Sequence, residues 1–249
     1  MNNSWLHGLV GGIAGAVLTV GALYGLAVSG NLGFLGAKGP GGEMVRDYLV
    51  AHPEMLIVMN NKLMQEQAEA QEAERQDAIR KVGLKAFFDP KIAYVEGPEN
   101  AKNTMVEFFD YNCPYCRASV PAIKKYMAAH KDTRYAFIEW AIKGPESVAA
   151  AKAAIAARKQ GKYLEFHFAL MEMEGLITAE RVTEAAQKAG LDVKRLAADM
   201  NTPEVQHAID AAHKLADQAK IDGTPTFIID GKVRSGALTE EELKDLTKG

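Results

Sequence analysis

The chain has 249 residues, of which 48% are hydrophobic and 24% charged, and it carries a formal net charge of -3. This composition supplies a buried core of ordinary domain size and excludes a disordered or fibrous chain. It also excludes the strongly basic field by which proteins hold nucleic acid, so no nucleic-acid partner is expected.

Leu9 to Val28 runs for twenty residues without a charge, enough apolar chain to cross a bilayer as a helix. Residues 1–42 are therefore read as a membrane or export segment that closes in the linker Gly36-Ala37-Lys38-Gly39-Pro40-Gly41-Gly42. No Lys or Arg precedes the apolar stretch, and Ala27-Val28-Ser29 makes only a passable cleavage exit. Both features favour a retained anchor over a cleaved signal.

Residues 43–84 read as helix in two pieces, Met44 to Ala51 and a second that restarts at Pro53, which has no N–H to lose in a first turn. Leu56, Met59, Leu63, Ala70 and Ala73 keep a 3-4 spacing, but Glu66 interrupts the seam and the chain after Gln65 is almost wholly polar or Ala. A continuous helix from Pro53 to Val82 would extend roughly 45 Å at 1.5 Å per residue. The segment is expected to be a stalk, either a solvated arm or an oligomerisation segment.

Residues 85–249 read as one α/β domain. Strands are expected over Lys91 to Val95 and Thr104 to Asp110, separated by the turn residues Gly97-Pro98-Glu99-Asn100. Met105, Val106, Phe108 and Phe109 mark the second strand as buried on both faces. A helix should start at the cysteines, with Pro114 in its first turn and Pro121 bending it, and run to about His130. Arg134 to Ile142 then completes a βαβ unit with a parallel pair.

Residues 147–220 predict a helical insertion of four or so helices, broken near Gly161, Gly175, Gly190 and Thr202-Pro203. The sheet resumes at Thr226 to Ile229 and turns at Asp230-Gly231 into Lys232 to Arg234. It is followed by a helix capped by Thr239 with Glu242 three residues on.

Two cysteines, Cys113 and Cys116, stand in C-x-x-C spacing where a buried strand meets a helix. At a helix start a thiol meets unpaired N–H groups and the positive end of the dipole, which favour the nucleophilic thiolate. Lowering a thiol pKa from about 8.5 to below 7 takes about 2 kcal/mol, whereas a helix terminus typically gives about 0.3 to 1 kcal/mol. N–H donation within Pro114-Tyr115-Cys116 and a hydrogen bond from the second thiol must supply the remainder. The expected chemistry is a mixed disulfide at Cys113 resolved by Cys116, the more buried thiol. A structural disulfide, inert buried thiols and a metal site compete with this reading. The short loop restrains little of the unfolded chain, and zinc needs four ligands where no second C-x-x-C exists. His207 and His213 are six residues apart and diverge on a helix. No metal and no cofactor other than the Cys113–Cys116 disulfide is expected.

The run Val106-Glu107-Phe108-Phe109-Asp110-Tyr111-Asn112-Cys113-Pro114-Tyr115-Cys116, with Gly223-Thr224-Pro225-Thr226-Phe227 downstream, resembles the DsbA family of bacterial envelope oxidoreductases. The resemblance spans roughly Lys91 to Lys248 and implies a thioredoxin-like fold interrupted by the helical insertion. It implies Cys113 as nucleophile, Cys116 as resolving thiol, Pro114 and Tyr115 as the tuning dipeptide, and Pro225 as a cis-proline beside them. Thr224 would then offer its backbone to a bound substrate peptide. Glu107 matches the family's buried acid, which takes the proton from Cys116. His167 is expected to pack rather than react.

Arg46-Asp47-Tyr48-Leu49 through His52-Pro53-Glu54 resembles the N-terminal oligomerisation segment of ScsC-type proteins. Together the resemblances imply an enzyme of the periplasm or cell envelope, anchored to the inner membrane or released after cleavage. It would form or rearrange disulfides in exported proteins, exchange electrons with a membrane redox partner, and form a homo-oligomer if the stalk associates. The alternatives are a disulfide isomerase or reductase on an oligomeric stalk, and a copper-binding envelope protein that holds a soft metal on its thiols.

Overall fold

The computed structural model describes residues 40–246, which divide into two compact units, 40–68 and 69–246. The apolar stretch from Leu9 to Val28 lies outside the described residues. Among those that are described, no helix is long and apolar enough to cross a membrane.

Helix α1 (Pro40–Ala51) begins four residues before the expected Met44, because a proline can open a helix without losing a hydrogen bond. Helix α2 (Met55–Val82) begins two residues after Pro53, behind a tight turn in which Met55 N–H donates to the His52 carbonyl at 3.0 Å and Leu56 N–H to that of Pro53 at 3.1 Å. In the first unit, Met44, Tyr48, Val50, Leu56, Met59 and Leu63 are all more than half exposed.

The last part of α2 belongs to the second unit, although its polar composition reads as stalk. Arg75 is buried there, donating to Asp222 at 2.6 Å, to Ser235 Oγ at 2.7 Å and to the Lys220 carbonyl at 3.1 Å. Gln76 donates to the Gly231 carbonyl at 2.5 Å and accepts from Val233 N–H at 3.0 Å. Its amide thereby pairs with an edge strand that would otherwise present free backbone groups.

The second unit is built on a five-stranded sheet in the order β1-β3-β2-β4-β5. Its strands are β1 (Tyr94–Glu96), β2 (Asn103–Phe109), β3 (Thr133–Glu139), β4 (Thr226–Ile229) and β5 (Lys232–Ser235). Only β2 and β3 run parallel, joined by helix α3 (Pro114–Ala129) as the expected βαβ unit. Side chains alternate across a strand, so Met105, Phe109, Phe137 and Phe227 share one core with the cysteines and the insertion. Val106, Phe108, Ile138 and Ile228 share the opposite core with Ile79, with Phe87 and Phe88 of a 3-10 turn (Leu84–Phe88), and with Leu215.

Two strand ends differ from expectation. β1 starts at Tyr94 rather than Lys91 because the Asp89 carbonyl holds Ile92 and Ala93 N–H, each at 2.9 Å, in a turn. β3 stops at Glu139 rather than Ile142: Trp140 N–H makes a last bond to the Phe109 carbonyl at 3.0 Å, and the Ile142 and Lys143 N–H groups turn to the Asp110 carboxylate. Gly97 must be glycine: its φ is +92°, and a Cβ there would sit 2.2 Å from the Thr133 carbonyl oxygen.

The insertion contains five α-helices where about four were expected: α4 (Pro145–Ala157), α5 (Tyr163–Met171), α6 (Ala179–Lys188), α7 (Val193–Asp199) and α8 (Pro203–Gln218). They break where Gly161, Gly175, Gly190 and Thr202-Pro203 indicate. The extra helix is the short α7, whose start Asp192 caps by accepting from Arg195 N–H at 3.0 Å. The closing helix α9 (Glu240–Leu246) has the expected capping box, with Thr239 N–H donating to Glu242 at 2.8 Å and Glu242 N–H donating to Thr239 Oγ1 at 3.3 Å.

Candidate functional site

The site forms where β2 ends and α3 begins. Asp110, the first residue past the strand, is buried and gathers four donors. Its Oδ1 accepts from Asn112 N–H and Ser147 Oγ, both at 2.7 Å, and its Oδ2 accepts from Ile142 N–H at 2.8 Å and Lys143 N–H at 2.9 Å. Cys113 N–H donates to the Asp110 backbone carbonyl at 3.0 Å, so one residue, through its side chain and its carbonyl, fixes the turn that delivers the first cysteine to the helix start.

Cys113 is the N-cap residue of α3, and Pro114 occupies its first turn. The Cys113 thiol is lowered to about 5, chiefly because the Cys116 thiol hydrogen-bonds to it. Burial pushes the other way, while the Thr224 side chain and the backbone N–H groups of Cys116 and Tyr115 favour the ionised form, with no closed cap hydrogen bond. Cys116 is pushed far above the ordinary thiol range by burial, by the same hydrogen bond and by the Glu107 charge. The two sulfurs therefore divide one proton unequally, and they are not joined as a disulfide in this structure.

Cys116 is 0% exposed, as expected of the inner thiol, but Cys113 is only 1% exposed. Cys116 is thus the inner thiol, and Cys113 too is covered at the surface. The Thr224-Pro225 segment lies over Cys113, whose Sγ is 3.2 Å from the Thr224 carbonyl, while Tyr115 is 65% exposed beside it. The Thr224-Pro225 bond is cis, and Pro225 is buried.

Glu107 lies on β2 between Met105 and Phe109, so the alternation of the strand turns it to the face that holds the cysteines. It is 2% exposed, and neither carboxyl oxygen has a hydrogen-bond partner. Burial first, then the charges of Cys113 and Glu139, push it up to about 8. All seven residues singled out from the sequence (Cys113, Cys116, Glu107, Pro114, Tyr115, Thr224 and Pro225) lie at this junction or on the segments that close over it.

The sequence reading missed a second buried acid. Glu139 pairs in register with Phe109 across the parallel strands and accepts from Tyr163 Oη at 2.8 Å and Tyr111 Oη at 3.1 Å. Burial pushes it up to about 8 as well. The Tyr111 hydroxyl is also 3.1 Å from His167 Nδ1, and burial lowers His167 to about 3, so that ring packs uncharged. The signal that marks Glu107, a lone carboxylate in an apolar strand, is equally present in Phe137-Ile138-Glu139-Trp140. Asn112 and Arg117 were missed too. Asn112 Oδ1 accepts from Ile177 N–H at 2.7 Å, while Arg117 donates to the Tyr111 carbonyl at 2.8 Å and the Gly175 carbonyl at 2.6 Å. Together they fasten the insertion to the cysteine turn. Among the described residues, no three His, Cys, Asp or Glu side chains are grouped as metal ligands would be.

The sequence profile of the thioredoxin family matches residues 91–248. A thioredoxin-like oxidoreductase from Silicibacter pomeroyi DSS-3 is 39% identical, covers 66% of this chain and 95% of its own, and superimposes with a TM-score of 0.62. The thiol-disulfide exchange protein alpha-DsbA2 from Wolbachia pipientis is 26% identical over 71% of this chain and 95% of its own, with a TM-score of 0.65. Proteus mirabilis ScsC in a transitional conformation is 25% identical over 83% of this chain and 93% of its own, with a TM-score of 0.63. Curated relatives that it matches include Na+/H+ antiporters NhaA. The one from Salinispora tropica is 30% identical over 168 residues, and this chain spans 25% of its length.

The buried carboxyls set the dependence of stability on pH. Glu107 and Glu139 keep their protons in the folded chain up to about pH 8, whereas the ordinary value of 4.5 applies once the chain unfolds. Between those values the unfolded chain binds fewer protons, so stability present below about pH 4.5 is lost as the pH rises to about 8. Cys113 acts oppositely in the reduced protein, adding stability as pH rises from about 5 toward 9.0. Glu107→Gln is therefore expected to stabilise the reduced protein at pH 8 by a few kcal/mol and to change little near pH 4.5, as read from urea unfolding at the two values. Equal destabilisation at both would contradict this assignment.

Proposed function

The chain belongs to the thioredoxin family, among its DsbA- and ScsC-like thiol-disulfide oxidoreductases, and from that premise we propose that it forms disulfides in exported proteins through Cys113 and Cys116. The observation that carries the reading is the Cys113–Cys116 pair at the start of α3 with the Thr224-Pro225 segment against Cys113, where the Cys116 hydrogen bond lowers the Cys113 thiol to about 5. A stabilised thiolate favours the dithiol form and makes the corresponding disulfide a strong oxidant.

In the forward direction a substrate thiolate attacks Cys113 Sγ of the Cys113–Cys116 disulfide. The enzyme S–S bond breaks, a mixed disulfide forms, and Cys116 leaves as a thiolate that takes a proton from Glu107. A second substrate thiolate then attacks the substrate sulfur of the mixed disulfide, closing the substrate's own bond and releasing Cys113 as a thiolate. In the reverse direction Cys116 resolves the mixed disulfide and returns its proton to Glu107, whose raised pKa lets it exchange a proton near neutrality. Pro114 and Tyr115 tune Cys113 from the first turn, while the Thr224 backbone, with Pro225 beside it, pairs with the substrate chain as a short strand. The chain's own disulfide serves as the only cofactor. A membrane redox partner removes the two electrons, and residues 9–28 hold the enzyme at the inner membrane on its periplasmic side.

Equilibration with glutathione tests the direction. An oxidase is expected to lie near the DsbA value of about -120 mV, and a value near thioredoxin's of about -270 mV would overturn the oxidase reading. Cys113→Ser should abolish exchange in either case.

A second reading, isomerisation by an oligomer, is favoured by the apolar side chains that α1 and the start of α2 leave exposed. Active sites held together on one assembly would rework a substrate's disulfides rather than release it after one exchange. Sedimentation equilibrium is expected to show self-association that the Leu56→Glu, Leu63→Glu double variant removes, with loss of scrambled-ribonuclease isomerisation. A monomeric wild type would sink this reading.

A further inference from the structure

Between α8 and β4 the chain crosses residues 219–225 with neither helix nor strand to fix it, and it ends this crossing at Thr224-Pro225, where the Thr224 carbonyl is 3.2 Å from Cys113 Sγ. A single side chain from another element grips the crossing at both ends. Arg75, two turns before the end of α2 and 7% exposed, donates through Nε to the Lys220 carbonyl at 3.1 Å and through Nη2 to Asp222 at 2.6 Å on the near side. On the far side its Nη1 donates to Ser235 Oγ at 2.7 Å. Ser235 pairs in register with Thr226, the residue after Pro225, and the next residue, Gly236, donates its N–H to the Pro225 carbonyl at 2.9 Å. We propose that Arg75 is a positioning residue that holds the Thr224-Pro225 backbone where a substrate chain pairs with it, a role that rests on the oxidoreductase reading and deepens it.

Three observations select positioning over plain support of the fold. A buried guanidinium paired with carboxylates adds little net stability, because its desolvation offsets the attraction; what it supplies is one fixed arrangement. Asp222 and Ser235 are themselves exposed, so water would satisfy them if Arg75 were absent. Second, the fork is planar with donors in set directions, and its three nitrogens are shared among residues 220, 222 and 235. Movement of either end of the crossing against the other breaks one of those bonds. Third, the neighbours of Arg75 hold the same parts: Glu74 pairs with the Lys220 ammonium, and Gln76 bonds to Gly231 and Val233 at the turn and strand that lead to Ser235. Lys220 has a φ of +54°, a conformation that costs a non-glycine residue energy and persists where surrounding contacts over-determine it. Glu72, 3.3 Å from Nη1, balances the buried charge from the helix itself.

The hydrogen bonds of Arg75 reach the crossing and β5, whereas both sulfurs are carried by the start of α3. Loss of Arg75 should therefore penalise a reactant that uses the Thr224 backbone and largely spare one that meets only the sulfur.

The test times mixed-disulfide formation by oxidised full-length protein with an unfolded peptide containing a single cysteine, and with 2-mercaptoethanol, a thiol without peptide groups. Arg75→Met should slow the peptide at least about tenfold more than 2-mercaptoethanol, as a misplaced binding group does. Arg75→Lys, which keeps the charge without the planar fork, should not restore the peptide rate. Hydrogen exchange over residues 219–236 should quicken in Arg75→Met while that of β2 and β3 stays as in the wild type. Equal slowing of both thiols, unchanged rates, full restoration by Arg75→Lys or faster exchange throughout the chain would each overturn the positioning role. Should Arg75→Met fail to fold, the Asp222→Ala, Ser235→Ala double variant removes a grip from each end at exposed positions. It should show the same selective loss, and equal effects on both thiols there would overturn the role as well. If the wild type forms a mixed disulfide with neither thiol, the oxidoreductase reading falls, and the role of Arg75 with it.

Discussion

Two thiols placed side by side under a helix start can share a proton in only one direction: the sulfur that donates becomes hard to ionise, and the one that accepts becomes easy. In this chain Cys116 donates and Cys113 accepts, which lowers one thiol to about 5 and drives the other far upward. A helix dipole, worth about 0.3 to 1 kcal/mol in the usual case, is too weak to produce that asymmetry by itself. Much of the remaining architecture serves to keep these sulfurs in this relation.

The sheet supplies the frame. The parallel pairing of β2 with β3 places Glu107 and Glu139 on the face toward α3, each in surroundings that hold its proton to about pH 8. The two acids differ in their partners: Glu139 accepts from two tyrosines, whereas Glu107 has none. An unpartnered buried carboxyl is costly to the fold, and such sites tend to persist where a proton must be held and passed. Asp110 performs the opposite task, with four donors locking the turn that aims Cys113.

Much of this was legible in the sequence because it rests on local signals. The C-x-x-C at a strand–helix junction, the glycine and proline breaks of the insertion, the Asp230-Gly231 turn and the Thr239/Glu242 capping box are each written within a few neighbouring residues. What escaped depends on pairing across long sequence separations. Arg75 reads as one more charge on a polar helix until Asp222, Ser235 and the Lys220 carbonyl are brought to it. Asn112 and Arg117 look like ordinary polar residues until the 175–177 segment arrives. Glu139 was within reach of the reasoning that found Glu107, but no cysteine follows it to attract notice. Thr224-Pro225, more than a hundred residues from Cys113, is brought beside it in the sequence only by the resemblance of Gly223-Thr224-Pro225-Thr226-Phe227, and how nearly it covers the sulfur is not written in neighbouring residues.

The direct test of the sulfur pair is the rate of Cys113 alkylation by iodoacetamide against pH, in the reduced wild type and in Cys116→Ala. With the shared proton as the main cause, the wild-type midpoint should fall near 5, and removing the donor should move it upward by more than one unit toward the ordinary thiol value of about 8.5. A wild-type midpoint already near 8.5, or one that Cys116→Ala leaves in place, would contradict the claim that the second sulfur holds the first ionised.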